Sequence, residues 1–334
     1  MSGFAVLLDG AGTPDESTLR QLRAGIANRG PDGLATAEAA PGVVLSHARF
    51  DTTIEAGREA LPARHCRRNT WLTGDLRNDN RSDLERELSG RTEHPVVTDA
   101  DFVLAAYERW SEDLAAHLVG DFAFVIWDGE RRRILVVRDQ LGIRPAFWTH
   151  SPGRRFVAAS TVQACVGATQ PPGSPDLEYI ADVATFAGGF DDRTVWRGVR
   201  RLPGGHCLSV DDHGAARVWR YWSPPQDHLD IDIDTARETM RELVTEAVRC
   251  RLRSSSDVAV EVSGGLDSTT VAALAVREGC AGHIRPIGLT FPGEACDESR
   301  YMRAAECHLG ISIEPFIARS APALDFAERC AATL

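Results

Sequence analysis

The segment 263–268, Ser-Gly-Gly-Leu-Asp-Ser, constrains the fold of this chain more than any other stretch. It stands between a short, mostly apolar run at 258–262 and an alanine-rich helical pattern at 268–278. Two glycines let the backbone approach a ligand closely, and the helix that follows adds its positive N-terminal end. The sequence therefore predicts an anion site at a strand-to-helix junction, with a plain Gly-Gly turn capped by a serine as the alternative.

The side chains of this turn indicate which anion it holds. The hydroxyls of Ser263 and Ser268 can donate further hydrogen bonds. The carboxylate of Asp267 would repel bare phosphate unless a cation such as Mg²⁺ lay between the two. A pyrophosphate group accompanied by magnesium satisfies both requirements.

The sequence after residue 234 indicates an α/β domain. Thr235 and Glu238 have the spacing of a capping box at the start of an apolar helical stripe. From residue 258 onward the predicted order is strand, helix, strand, helix, strand, which is the start of a parallel, doubly wound sheet. The proline- and acid-containing segment 223–234 is predicted to be a linker, and 235–334 the second domain.

Residues 1–222 show a different pattern, in which short apolar runs alternate with turn signals. This pattern predicts an antiparallel α+β domain. The clearest hairpin turns at Asp128-Gly129, and helices are predicted at 16–27 and 100–110. Strands are predicted at 4–8, 43–49, 71–76, 123–127, 134–138 and 156–160.

Composition excludes several classes of function. A length of 334 residues suggests two domains, and a net charge of −11 argues against a nucleic-acid partner. All 37 basic residues are arginine, so chemistry that runs through a lysine amine is excluded. No apolar run is long enough for a membrane helix and no signal-peptide pattern is present, so a cytoplasmic protein is predicted. The eight cysteines include no C-x-x-C pair and are predicted to be dispersed, mostly buried thiols.

Several stretches taken together resemble the asparagine synthetase family. The turn at 263–268 is similar to the pyrophosphate loop of the ATP pyrophosphatases, and further matches precede it in the family's order. They are RGPDG at 29–33, LSHARF at 45–50, LTGDLRNDNR at 72–81, GDFAFVIWD at 120–128, RDQLGIRP at 138–145 and LPGGH at 202–206. The resemblance implies a glutaminase-like domain of the Ntn-hydrolase type over 1–222, followed by an ATP-pyrophosphatase domain.

The resemblance also implies cofactors and their ligands. ATP and Mg²⁺ are expected, together with a carboxylate substrate that is adenylated and then attacked by an amine. Asp267 would be a magnesium ligand, and Leu289 would line the adenine pocket. The expected ATP contacts are Val262, Ser263, Gly264, Gly265, Asp267, Ser268 and Leu289.

The N-terminal domain departs from the family pattern at its nucleophile. The family begins Met-Cys-Gly, whereas Ser2 follows Met1 here, so a hydroxyl replaces a thiol. Thr73, beside Gly74, stands where the family has an asparagine of the oxyanion hole, and loss of one such donor typically costs about 10²–10³ in rate. The expected remnant of the glutamine pocket is Arg49, Gly74, Asp75 and Asp99. The resemblance with these departures predicts a domain without glutaminase activity.

Family members without the cysteine resemble enzymes that use an amine of the substrate itself, the β-lactam synthetases and the lasso-peptide macrolactam cyclases. The segment FPGEACDE at 291–298 is similar to a stretch of the lasso cyclases; the alternative is a turn at Pro292-Gly293 before an Asp297-capped helix. An intramolecular cyclase acting on a precursor peptide is the leading hypothesis, with a leader-binding protein and a protease as implied partners. The runner-up is asparagine formation from aspartate with glutamine or ammonia.

A third hypothesis is a truncated, non-catalytic family member. The family's synthetase domain continues through an acidic S-G-E-G-x-D-E signature to a catalytic lysine, and neither occurs in these 334 residues. The resemblance therefore implies an ATP-binding domain that is incomplete at its C-terminal side. The sequence leaves the oligomeric state open.

Overall fold

The computed structural model describes residues 1–65, 68–88, 96–169, 173–187 and 192–318. The chain divides into two compact units. Unit 1 comprises Met1–Asp51 and Glu55–Asp227, and unit 2 comprises Thr52–Ile54 and His228–Leu334. The division after Asp227 lies inside the predicted linker segment 223–234.

The described part of unit 1 contains two six-stranded sheets in which all neighbouring strands are antiparallel. The strands are β1 (Gly3–Asp9), β2 (Gly33–Ala40), β3 (Val43–Arg49), β4 (Ala63–Arg64), β5 (Thr70–Asn78), β6 (Gly120–Asp128), β7 (Arg133–Arg138), β8 (Phe147–Ser151), β9 (Arg155–Ala159), β10 (Val199–Arg201), β11 (His206–Asp211) and β12 (Ala216–Arg220). The first sheet has the order β10-β8-β9-β1-β3-β2, and the second β12-β11-β7-β6-β5-β4.

Helices cover the outer faces of these sheets. They are α1 (Glu16–Ala27), α2 (Arg81–Leu88), α3 (Asp99–Trp110), α4 (Val162–Gly167) and α5 (Leu177–Ala184). The apolar faces of β1 and β9 pack against α1 and α4, and the outer face of β5, β6 and β7 packs against α3. A third apolar cluster, which includes Phe4, Leu45 and Val125, fills the space between the two sheets. The predicted antiparallel α+β architecture of this region is confirmed.

All strands predicted for this unit are present, but several others were not predicted. The strand β2 has the sequence GLATAEAA, whose alanines and glutamate are poor strand formers, and most of its side chains are exposed. It is a strand because it pairs with β3 from Gly33 to Ala40. Tertiary pairing therefore overrides the weak local preference.

Unit 2 alternates helices and strands in the predicted order. They are α6 (Ile233–Arg251), β13 (Val258–Glu261), α7 (Leu266–Arg277), β14 (Ile284–Thr290), α8 (Ser299–Leu309) and β15 (Glu314–Ile317). The strands form a parallel sheet of order β13-β14-β15, which confirms the predicted α/β arrangement. Its core contains Val248, Val262, Ala272, Ile284 and Met302.

The predicted capping box of Thr235 and Glu238 is wrong. The N-cap of helix α6 is Asp232, three residues before Thr235, and the helix begins at Ile233. The Asp232 carboxylate accepts the N–H of Asp234 at 2.9 Å and that of Thr235 at 2.8 Å. The Thr235 hydroxyl itself donates to Asp232, because an aspartate three residues ahead is a stronger acceptor for the first-turn N–H groups.

The prediction of mostly buried cysteines holds in unit 1 and is wrong in unit 2. Cys165 and Cys207 are buried, whereas Cys250 and Cys280 are partly exposed and Cys296 and Cys307 are exposed. Most of α6 and α8 faces solvent, so their thiols do too. The two remaining cysteines, 66 and 330, lie outside the described residues. No helix in the described ranges combines the length and apolar character that crossing a membrane requires.

Candidate functional sites

The predicted anion loop of unit 2 lies at the carboxyl end of β13, directly before α7. The Val262 N–H donates to the Ile287 carbonyl at 2.7 Å, which extends the pairing with β14 one residue beyond the strand. Val262 is fully buried, so the start of the loop is anchored in the core. Gly265 occupies the N-cap position of α7 and has no side chain to cap it, so the helix presents bare N–H groups to this loop.

The two serines of the loop converge on each other. Their hydroxyl oxygens lie 2.9 Å apart. The Ser263 N–H donates to Ser268 Oγ at 3.0 Å, and the Gly265 N–H donates to Ser263 Oγ at 3.1 Å. A hydroxyl hydrogen can rotate about its C–O bond toward an incoming anion, while the same oxygen continues to accept the backbone N–H.

The third N–H of the loop has a charged partner that the sequence did not predict. The Gly264 N–H donates to Oε2 of Glu298, on the N-terminal side of α8, at 3.0 Å. A Cβ on Gly264 would lie 2.9 Å from the Glu298 Cβ and 3.0 Å from the Tyr301 Cβ, so only glycine fits here. The sequence contains this glutamate in the CDE stretch at 296–298, but only the folded structure shows that the stretch contacts the loop.

Asp267 and Leu289 stand at the edge of the same loop. Asp267 is exposed in the first turn of α7. Leu289 is 49% exposed on β14, two residues after the Ile287 carbonyl that receives Val262. The structure therefore brings Val262, Ser263, Gly264, Gly265 and Ser268 together, with Asp267 and Leu289 beside them.

The donor set fits a phosphate group and, less fully, a magnesium ion. Three backbone N–H groups and two hydroxyls lie in the 263–268 turn, and such donors are the kind that an anion requires. Asp267 offers carboxylate oxygens of the kind that Mg²⁺ prefers. Within the described ranges no group of three or more His, Cys, Asp or Glu could hold a metal, so phosphate oxygens and water would have to complete the coordination.

In unit 1, Ser2 lies at the start of β1 in a hydrogen-bonded position. Its Oγ accepts the Phe50 N–H at 3.1 Å, and its carbonyl accepts Arg29 Nε at 3.3 Å. Arg29 opens the RGPDG stretch, and burial lowers the pKa of its guanidinium. The hydroxyl at the nucleophile position is thus already an acceptor for the backbone, which does nothing to activate it.

The predicted oxyanion-hole residues lie in the middle of β5. Thr73 is fully buried, and its hydroxyl donates to the Ser46 carbonyl of β3 at 3.2 Å. A Cβ on Gly74 would lie 2.4 Å from the Phe124 Cβ, so this glycine is required by the close approach of β6. Both residues therefore have structural contacts that explain them without catalysis.

Asp75 forms a buried charged cluster near the N-terminus. Its Oδ2 lies 3.4 Å from Nη1 of Arg144. Burial raises the pKa of the Asp75 carboxyl, while Arg144, the α-ammonium of Met1 and Arg29 oppose that rise. Burial also lowers the pKa of the Met1 α-ammonium. Neither Arg29 nor Arg144 was predicted, although both lie in stretches, RGPDG and RDQLGIRP, that the sequence singled out.

The loop that carries Arg144 is held by Asp139. The buried Asp139 carboxylate accepts the N–H of Ile143 at 2.8 Å and that of Arg144 at 2.9 Å. The Arg138 guanidinium donates to the carbonyls of Arg144 and Leu202, at 2.7 Å and 2.5 Å. The RDQLGIRP and LPGGH stretches therefore meet to fix this loop.

Arg49 and Asp99, which match the glutamine-binding pair, both have polar partners within the chain. Arg49 Nε lies 3.5 Å from Asp51 Oδ2, and Arg49 also donates to the Asp32 carbonyl at 3.1 Å. The buried carboxylate of Asp99 accepts Arg81 Nη1 at 2.7 Å. A glutamine would have to compete with these internal partners.

Comparison with known proteins matches both units. Residues 1–222 match the family model described as a glutamine amidotransferase domain, and residues 239–330 match the model described as asparagine synthase. A glutamine-hydrolysing asparagine synthetase 3 of Bacillus subtilis is 28% identical over 82% of this chain and 44% of its own length. A putative glutamine-hydrolysing asparagine synthetase of Mycobacterium tuberculosis is 31% identical over 59% of this chain and 32% of its own. The amidase chyE of Penicillium rubens is 28% identical over 56% and 28%, respectively. The chain spans less than half the length of these relatives.

Proposed function

Because this chain belongs to the asparagine synthetase family, we propose that it carries the nucleotide-binding loop of an ATP-dependent, amide-forming synthetase. The observation that carries the proposal is the 263–268 loop, which places three N–H groups and two hydroxyls within six residues at the end of a parallel strand. Magnesium, when bound, would supply positive charge to the pyrophosphate. Asp267 is the residue that would hold it.

The proposed reaction has two steps. A substrate carboxylate oxygen attacks the α-phosphorus of ATP, the bond to the bridging oxygen breaks, and pyrophosphate leaves. An amine nitrogen then attacks the acyl carbon, the bond to AMP breaks, and the amine loses a proton. The contribution of the loop is to position ATP and stabilise the charge that develops on pyrophosphate, which is an electrostatic role.

We assign unit 1 to a glutaminase-like domain without glutaminase activity. In support, Ser2 Oγ accepts a backbone N–H at 3.1 Å, and the Thr73 hydroxyl donates to Ser46 at 3.2 Å. A synthetase without its own ammonia source needs another amine to attack the acyl-adenylate. An amine group of the substrate itself can do this. This favours an intramolecular cyclase that joins the N-terminus of a precursor peptide to an internal Asp or Glu side chain, with a leader-binding protein and a protease as proposed partners.

Asparagine formation is the second candidate, and a specific observation favours it. Relatives named asparagine synthetase match up to 82% of this chain. In that version aspartate supplies the carboxylate, and glutamine or free ammonia supplies the nitrogen.

Substrate-dependent pyrophosphate release tests the two candidates. A protein in which this chain continues through the acidic signature and the lysine of the family's synthetase domain is incubated with Mg²⁺ and ATP. The second substrate is either aspartate plus glutamine or ammonia, or a precursor peptide with an internal Asp or Glu. We expect peptide-dependent release and no glutamate from glutamine. Aspartate-dependent release would replace the cyclase by asparagine formation. Glutamate formation that a Ser2→Ala variant abolishes would show that unit 1 is an active glutaminase.

A further inference from the structure

We propose that Glu298 is a carboxylate gate on the 263–268 loop, which disfavours nucleotide that arrives without a cation. This inference rests on the proposed function of the same loop. It assigns a role to the CDE stretch, which the proposed reaction does not otherwise use.

The contact itself is direct. Oε2 of Glu298 accepts the Gly264 N–H at 3.0 Å. The Glu298 Cβ and the Tyr301 ring close the space above Gly264. They would lie only 2.9 Å and 3.0 Å from a Cβ at position 264. The carboxylate therefore takes a backbone donor that a phosphate oxygen of the nucleotide would need.

The neighbouring residues hold Glu298 in this place. Asp297 Oδ1 accepts the Phe291 N–H at 3.0 Å and the Ser299 hydroxyl at 2.7 Å, which closes the turn before α8. The Glu298 carbonyl then accepts the Tyr301 N–H at 2.9 Å. Asp297 does not act as the N-cap that the sequence suggested; it fixes the turn from which Glu298 reaches the loop.

The charge of Glu298 makes the gate selective. The N–H groups of Ser263 and Gly265 face neutral hydroxyl oxygens, whereas the Gly264 N–H faces a negatively charged carboxylate. Asp267 adds a second carboxylate to the first turn of α7. Free ATP is repelled by both, whereas ATP bound to Mg²⁺ carries less negative charge and displaces Glu298 more readily.

Calorimetric titration of the full chain with ATP tests this, once with excess Mg²⁺ and once with a chelator. The proteins are the wild type, Glu298→Gln and Glu294→Gln, since Glu294 is an exposed glutamate of the same segment whose loss removes equal charge. We expect Glu298→Gln to bind free ATP about fivefold more tightly and magnesium-bound ATP by a smaller factor. The preference for the magnesium complex then falls, while Glu294→Gln keeps the wild-type preference.

A merely structural role for Glu298 gives the opposite result. If the side chain only supports the loop, Glu298→Gln weakens both titrations, and the gate is wrong. If Glu298→Gln keeps the wild-type preference for magnesium-bound over free ATP, the proposed role of Glu298 is also wrong. If neither form of ATP binds to the wild type or to Glu298→Gln, the proposed function fails and the gate fails with it. Should Glu298→Gln not fold, as judged by its circular dichroism, Glu298→Ala is expected to shift the preference in the same direction.

Discussion

Burial shifts the pKa values of two ionisable side chains of unit 1 toward their neutral forms. His47 is buried on β3, and burial together with nearby Arg49 lowers its pKa to about 4. Glu59 accepts the Ala100 N–H at 2.8 Å, and burial raises its pKa to about 7. Both groups make the stability of unit 1 depend on pH, with opposite signs.

The direction in which His47 changes the stability of unit 1 with pH follows from proton binding. Between pH 6.5 and about 4 the unfolded chain binds a proton at His47 and the folded unit does not, so stability falls as the pH falls through this window. Glu59 acts in the opposite sense, because the folded unit keeps its proton up to about pH 7 and loses stability as the pH rises from 4.5. A comparison of variants is needed to separate the two.

We predict that His47→Gln removes part of the acid sensitivity of unit 1. Relative to the wild type, the variant should recover about 2–3 kcal/mol of unfolding free energy between pH 6.5 and about 4. Urea unfolding followed by tryptophan fluorescence measures this, because all seven tryptophans lie in unit 1. The control His213→Gln removes an exposed imidazole and should keep the wild-type pH dependence; the same dependence in His47→Gln would contradict the prediction.

At this scale the sequence predicted contiguous residues well and distant pairs poorly. Val262 to Ser268 form one turn, so their convergence follows from local geometry. The contacts of Gly264 with Glu298 and of Asp75 with Arg144 join residues far apart in the chain. Only the packing of whole elements brings those charges together.

At the scale of elements, local pattern decided what could be predicted. Helix α1 has its buried Leu22 and Ile26 at helical spacing, and its bounds match the predicted 16–27. The strand β2 has no such pattern and needs β3 to define it. The start of α6 was misplaced because Thr235 and Glu238 imitate a cap, while Asp232 makes the actual hydrogen bonds.

The loop that follows β7 depends on a single carboxylate. Asp139 is 1% exposed and accepts two backbone N–H groups of the turn that delivers Arg144 to Asp75. We predict that Asp139→Asn destabilises unit 1 by about 2–3 kcal/mol, because an amide cannot accept both bonds and places its own N–H₂ against a donor. Urea unfolding by tryptophan fluorescence measures the change.

The matched control for this loop is Asp227→Asn, which alters an exposed aspartate at the end of unit 1. Its unfolding free energy should stay within about 0.5 kcal/mol of the wild type. An equally small effect of Asp139→Asn would show that the RDQLGIRP stretch does not depend on this carboxylate.

At the scale of the whole molecule, we propose that unit 2 carries the ATP site and that unit 1 has no glutaminase activity. The charged residues of unit 1 that match a glutamine site form ion pairs with other side chains of the unit. The hydroxyls and N–H groups of the unit 2 loop bond mainly to one another, in a turn that is partly exposed. The fold and the motifs of both units were readable from sequence, whereas the engagement of the unit 1 residues was visible only in their contacts.

Calorimetric titration of the chain with magnesium-bound ATP tests whether the 263–268 loop binds ATP. We expect binding by the wild type and by Ser256→Ala, which removes an exposed hydroxyl outside the loop. A Ser263→Ala, Ser268→Ala double variant should bind about tenfold more weakly, because two hydroxyl donors to the ligand are lost. Absence of binding by the wild type, or equal affinity in the double variant, would show that the hydroxyls of this loop do not hold ATP.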